Sequence, residues 1–243
     1  FKSFPYQLFN SLLEISSPRE KLIYLLCGAC SARISQALNL TLYDFDYENK
    51  HVWLIDPRSN DQLGIHGIGR KTFLQDVYNI DAAKDKPHSN IGFKAPIPLR
   101  FKNRIPLYWI SDIYRSLFFD TLAEYKFLPE SSRIPKHPFF FVTNSGARLT
   151  PQQVNVTFTA HCEKLKKLFP DKENNLDGLG LHSLRHMFGV MMATFQARIL
   201  MNKKDLKYNI PIDQIKIITK EAMGHKSLSS TDVYFNRPWH LDI

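Results

Sequence analysis

Three places in the chain carry residue types and spacings that do chemistry in other proteins, and each lacks a part that its chemistry needs. Cys27-Gly-Ala-Cys30 has the CxxC spacing of zinc and redox sites. A structural zinc takes four ligands, and the sequence offers no second pair. The motif also lies in an apolar helical run, where cysteine serves as a small core residue. Gly64-Ile-His-Gly-Ile-Gly69-Arg70-Lys71-Thr72 approaches a phosphate-binding loop. That loop needs Gly, Lys and Ser/Thr in direct succession. Here Arg70 intervenes, and no helix is expected to follow, so no nucleotide is expected. His182 and His186 are four apart, on one helix face, as in zinc proteases. That chemistry requires a glutamate after the first histidine, and the sequence reads His-Ser-Leu-Arg-His. No metal is expected there.

Three further segments matter together. They are Cys30-Ser-Ala-Arg33-Ile-Ser-Gln-Ala-Leu-Asn-Leu40, Gly180-Leu-His182-Ser-Leu-Arg185-His186, and Met223-Gly224-His225-Lys226-Ser-Leu-Ser-Ser-Thr-Asp-Val-Tyr234. In this order they resemble the three motifs of the tyrosine recombinase, or phage integrase, family. These are a box around a first arginine, an HxLRH box with a second, and a Gly-His box that ends nine residues later in a tyrosine. The resemblance runs from about residue 20 to the end of the chain.

The resemblance implies a metal-independent attack on DNA. In-line displacement at a phosphodiester places negative charge on the non-bridging oxygens, and preorganised cations stabilise it. Arginine suits the task because its planar fork donates paired hydrogen bonds and stays ionised. Arg33 and Arg185 are the expected clamp, and His225 a further donor. His182, one helical turn before Arg185, is expected to receive or orient the proton of the nucleophile Tyr234. A free phenol, with a pKa near 10, needs that help. His186 is expected only to support its helix.

The family also uses a hairpin lysine to protonate the departing 5′ oxygen. Gly92-Phe93-Lys94 precedes Arg104-Ile105-Pro106-Leu107, which resembles the strand after that lysine, so Lys94 is the candidate. Lys102 and Lys71 are the alternatives. Arg185 and His225 are 40 residues apart, longer than the plain pattern, and the segment near 198–212 brings in Lys203, Lys204 and Lys207.

The elements that must position these residues are mainly helical. Helical spacing covers Tyr6 to Ile15, a second helix from Pro18, and renewed periodicity from Ser31 to Leu38. Further helices are expected from Asp112 to Phe127, from Pro151 (capped by Thr150) to about Phe169, from Leu181 to Leu200 and from Asp213 to Met223. A last one starting near Ser227 or Ser229 would carry Tyr234. Strands are expected at His51 to Ile55, Ile105 to Ile110 and Phe139 to Val142. Residues 56–92 read as a long loop or irregular insertion. The fold class is therefore mainly α with a small antiparallel β-sheet (α+β). The resemblance makes it the integrase-type catalytic fold, one catalytic domain over residues 1–243. The chain opens on Phe1, so it is expected to be a fragment from which the family's N-terminal DNA-clasping domain is absent.

The net charge of +9 favours a polyanionic partner. No apolar run approaches the roughly 20 residues of a membrane span. Three cysteines suit a reducing compartment. The expected partner is double-stranded DNA, bound by a homotetramer, in a bacterial cytoplasm or nucleoid, with no cofactor, no nucleotide and no membrane. Three other readings are a type IB topoisomerase, which would share the chemistry but reseal the same strand, a DNA-binding module without activity, and a basic helical scaffold. Target site, mobile element and reaction direction are not encoded legibly.

Overall fold

The computed structural model describes residues 2–58, 60, 67–82, 105–126, 136–201, 211–225 and 227–235. Lys94, Lys102, Lys203, Lys204, Lys207, most of the 56–92 insertion, and the tail with Pro238, Trp239 and Leu241 lie outside the described residues. So do Gly64, Ile65 and His66 of the near phosphate loop.

The centre of the fold is α2 (Pro18–Ala29). From Leu22 to Ala29 every side is buried, as the unbroken apolar run demands. Around it stand α1 (Phe9–Glu14), α5 (Asp112–Lys126) and α8 (His182–Met201), with α6 (Pro151–Leu168) packed on α1. The CxxC motif is part of this packing. Cys27 and Cys30 are free and buried, and burial pushes the Cys27 thiol up to about 12. Gly28, between them, is where α2 meets its neighbours. A Cβ there would stand 2.8 Å from the Phe9 ring and 3.0 Å from the Met187 methyl. Among the described residues no group of three potential metal ligands occurs, and no helix is long and apolar enough to cross a membrane.

The sheet has three antiparallel strands in the order β1 (Phe45–Asp46), β2 (His51–Leu54), β3 (Ile105–Pro106). Phe45 pairs with Val52, and Trp53 with Pro106. The strand expected from Ile105 to Ile110 is cut short after Pro106. Pro106 has no N–H to extend the ladder. After Leu107 N donates to Val52 O the chain turns away, and Ile110 N donates to Ala29 O at the end of α2. The strand expected from Phe139 to Val142 is likewise only a bridged segment. It makes single bridges from Phe139 to Thr41 and from Val142 to Arg148, and buries Phe140 and Phe141 against Tyr125.

The expectation of irregular chain over 56–92 fails at its middle. Residues Arg70–Tyr78 form α4, directly after Gly69. Three anchors explain it. Asn60 Oδ1 accepts from Thr72 N at 3.0 Å, which supplies a helix-start acceptor from a distant residue. Asn79 closes the helix in the left-handed conformation. Leu74 buries itself with Ala82 and Phe139. Arg70 then points inward, at 3% exposure, and forks onto the Asp44 carboxylate, one arm at 3.1 Å. The remaining expected helices form close to their expected bounds. α3 (Ile34–Ala37) and α7 (Glu173–Leu176) are single short turns, and α9 (Ile212–Met223) and α10 (Ser229–Phe235) complete the order.

Candidate active site

The second arginine sits where three elements end. Arg185, on the first turns of α8, is 3% exposed. One arm of its guanidinium donates to Ser31 O and the other to Met223 O. Ser31 follows the end of α2 with a positive φ of 58°, a conformation that non-glycine residues adopt at a cost. The turn is closed by Ala32 N donating to Leu26 O at 2.9 Å, and it aims the Ser31 carbonyl at Arg185. Met223 is the last residue of α9, whose carbonyl end carries partial negative charge. The start of α8 is fixed by Asn155 of α6, whose Oδ1 accepts from Leu181 N at 2.9 Å.

Arg33 reaches the same helix end from the other side. It caps α3, its own N–H bonded to Gln36 Oε1 at 2.7 Å. Its Nη2 donates to Gly224 O at 3.3 Å. The two motif arginines, 152 residues apart in sequence, thus hang on successive carbonyls, Met223 and Gly224. Gly224 turns the chain there with a φ of 59° and makes that carbonyl available. Arg33 Nη1 is buried and meets no acceptor among the described residues. Burial lowers the Arg185 pKa to about 9, and the Arg33 charge adds to the shift. Burial lowers that of Arg33 as well. Arg185 remains a cation at neutral pH, and its charge and that of Arg33 are close enough to act on each other.

The histidines and the tyrosine close the site. His225 follows Gly224, and its Nδ1 shares a 2.9 Å hydrogen bond with Thr231 Oγ1, a residue of α10 that is fully buried. Burial lowers the His225 pKa to about 4, with Arg185 and Arg33 pushing the same way. Its ring lies nearly parallel to that of Tyr234, centroids 6.2 Å apart. Tyr234 is 3% exposed, and its hydroxyl shares a 2.8 Å hydrogen bond with His186 Nδ1. Burial raises its pKa to about 12, while Arg185 pulls it down. Burial, then His182 and Arg185, lower the His186 pKa to about 4. His182 is exposed at the start of α8 and meets the His186 ring edge-on, centroids 4.6 Å apart.

Gly189 completes the pocket. A Cβ there would lie 2.7 Å from Tyr234 Cε1 and Cζ. The phenol therefore rests directly on the α8 backbone. An ion pair between Lys216 and Asp232, 2.9 Å, holds α10 to α9.

The structure thus brings Arg33, His182, Arg185, His225 and Tyr234 to the region where α2, α8, α9 and α10 meet. Lys71 is elsewhere in sequence context, in the first turn of α4 beside Arg70, and Lys94 and Lys102 are outside the described residues. Sequence reasoning gave His186 only a supporting role and overlooked Gly189, Ser31 and Thr231. A signal existed for one of them. An isolated glycine inside a helical pattern costs about 1 kcal/mol and usually marks close packing.

No protein-family model and no curated protein matches the chain. Solved structures do. XerA recombinase aligns over 97% of this chain and 58% of its own, at 14% identity and a TM-score of 0.54. The Tn1549 transposon integrase, solved in complex with circular intermediate DNA, aligns over 94% and 59%, at 16% identity and 0.54. XerH site-specific recombinase, bound to a palindromic difH substrate in a post-cleavage complex, aligns over 97% and 49%, at 17% identity and 0.54. The chain spans about half to three-fifths of the length of these structures. Likeness at such identities is a likeness of architecture, and on it the chain has the tyrosine recombinase catalytic fold.

Proposed function

We propose that this chain is the catalytic domain of a tyrosine site-specific recombinase, which cuts and rejoins duplex DNA through a covalent 3′-phosphotyrosine at Tyr234. The observation that carries the reading is the Arg33 guanidinium. Its Nη1 is a buried donor with no acceptor among the described residues, beside a second buried cation and a buried phenol. A buried donor left unpaired costs about 1–3 kcal/mol, and beside a second cation an anionic acceptor answers it best. A phosphodiester supplies one. Arg33 and Arg185 would hold its non-bridging oxygens. His225, with Nδ1 engaged by Thr231, would present Nε2–H as a third donor.

Attack by Tyr234 Oη on phosphorus expels the 5′ oxygen, which takes a proton from a general acid. Lys94 is our candidate, with Lys102 and Lys71 as alternatives. The phosphotyrosine keeps the bond energy, so a 5′ hydroxyl from a partner strand can reverse the step without a nucleotide. Exchange between two duplexes needs four such sites, hence a homotetramer assembled on DNA. Residues 1–243 would act as one catalytic domain.

The test is incubation with nicked duplexes drawn from the DNA that flanks the chain's own coding sequence. A denaturant-resistant protein–DNA adduct is expected, and so is joining of strands from different duplexes. Adduct without strand exchange would favour a type IB topoisomerase. DNA binding should weaken steeply with salt, because phosphate contacts release counterions. Absence of both adduct and binding at low salt would leave a basic helical scaffold.

A further inference from the structure

We propose that the His186 imidazole takes the phenol proton from Tyr234 as the phosphate is attacked. The inference rests on the transesterification reading above and adds a residue expected only to support its helix. Its basis is geometric. His186 Nδ1 lies 2.8 Å from Tyr234 Oη, within proton-transfer reach before any DNA arrives. Both partners are constrained. The phenol is 3% exposed and lies on Gly189, where even a methyl group would collide with it. The His186 ring also meets the ring of His182 edge-on, centroids 4.6 Å apart. His182 and His186 lie one helical turn apart, and it is the inner of the two that meets the nucleophile.

The electrostatics fit a proton acceptor. Burial and the neighbouring His182 and Arg185 keep His186 neutral at neutral pH. With its proton on Nε2, the ring offers the Nδ1 lone pair to the phenol. Among the described residues the groups facing it are His182 and Arg185 on α8, His225, and Tyr234 on α10. A bound phosphate would neutralise part of the nearby arginine charge. Removing like charge favours the protonated imidazole, so its proton affinity would rise when the nucleophile must ionise.

The step balances without any further reactant beyond the general acid. The Tyr234 Oη–P bond forms, the P–O5′ bond breaks, the phenol proton moves to His186 Nδ1, and the 5′ oxygen receives a proton from the general acid. On rejoining, the 5′ hydroxyl attacks phosphorus and gives its proton back to the deprotonated general acid, the P–O bond to Tyr234 breaks, and His186 returns its proton to the leaving phenol oxygen.

The experiment measures adduct formation on the nicked duplexes described above. It compares tyrosine with the more acidic difluorotyrosine at position 234, in the wild-type chain and in H186N, H186Q and H182N. Asparagine keeps an acceptor near the Nδ1 position but cannot take a proton, and glutamine guards against a folding defect peculiar to asparagine. With tyrosine, H186N and H186Q should form adduct about 100-fold more slowly, the lower end of general-base contributions. With difluorotyrosine the deficit should shrink to a few-fold, because an acidic phenol needs less help. An equal deficit with both phenols would make His186 structural and overturn the proposal. So would an unchanged rate in the His186 variants, or fluorination rescue confined to H182N. If the wild-type chain forms no adduct, the recombinase reading itself fails, which is a separate result.

Discussion

Gly189→Ala separates what the site needs from what the fold needs. An ideal Cβ at 189 would stand 2.7 Å from two ring atoms of Tyr234 and 2.8 Å from a third. Ordinary carbon contacts lie at about 3.5–4.0 Å, so the ring must retreat by roughly 1 Å. A retreat of that size stretches the 2.8 Å bond to His186 past hydrogen-bond length. Overpacking costs about 1–3 kcal/mol, and the lost bond about 0.5–1.5. Against this, alanine in a helix interior is favoured over glycine by about 1 kcal/mol. The net loss should be about 1–3 kcal/mol. Each kcal/mol lowers Tm by about 2–4 °C in a chain of this size, so the fold survives. The phenol does not keep its place, and a displacement near 1 Å costs on the order of 100-fold in rate. The assay pairs thermal unfolding with adduct formation, and follows position 234 by fluorine NMR of an incorporated fluorotyrosine. If Gly189→Ala raised Tm, left the fluorine signal unmoved and formed adduct at the wild-type rate, Tyr234 would not occupy the pocket described here.

Other outcomes follow from the same contacts. Arg70→Met leaves the Asp44 carboxylate buried without its cation and should destabilise the fold by about 3–5 kcal/mol in urea unfolding, whereas adding Asp44→Asn, which removes the charge and keeps an acceptor for Thr41 N, should restore part of the loss. Ser31→Gly should be neutral or stabilising by up to about 1 kcal/mol at a φ of 58°, while Ser31→Val should be clearly destabilising, since a branched side chain resists that conformation. His186 and His225 have folded pKa values of about 4, below the unfolded 6.5, so the unfolded chain binds more protons between those limits. Stability is therefore full above pH 6.5 and declines as pH falls toward 4, and exchanging both histidines for asparagine should flatten that part of the profile.

Much of the architecture was legible because it is written in local pattern. Thr150 and Pro151 announce the start of α6, and its capping bond from Gln153 N to Thr150 Oγ1 is present at 3.2 Å. The apolar run from Leu22 foretells a helix buried on all sides. The convergence of Arg33 and Arg185 on one helix end was legible through motif order, which no single segment would have carried. α4 was not, because its start is stabilised by Asn60, twelve residues upstream of Thr72, and its inward arginine is satisfied by Asp44. The Phe139 segment was misjudged because apolar residues in a row specify burial, not pairing. The contact of His186 with Tyr234 spans 48 residues, and helical spacing reports only which face a residue lies on. It becomes visible once α8 and α10 are packed, as does the reason for a glycine at 189.

In the proposed reaction one phosphate sits between Arg33, Arg185 and the hydroxyl of Tyr234. That placement is tested most directly by isolating the protein–DNA adduct, digesting the protein, and identifying the modified peptide by mass spectrometry. The account predicts a 3′ phosphate ester on Tyr234, absent from Tyr234→Phe, which loses one oxygen and should still fold and bind DNA. Adduct that persists in Tyr234→Phe, or a phosphate found on another residue, would contradict it.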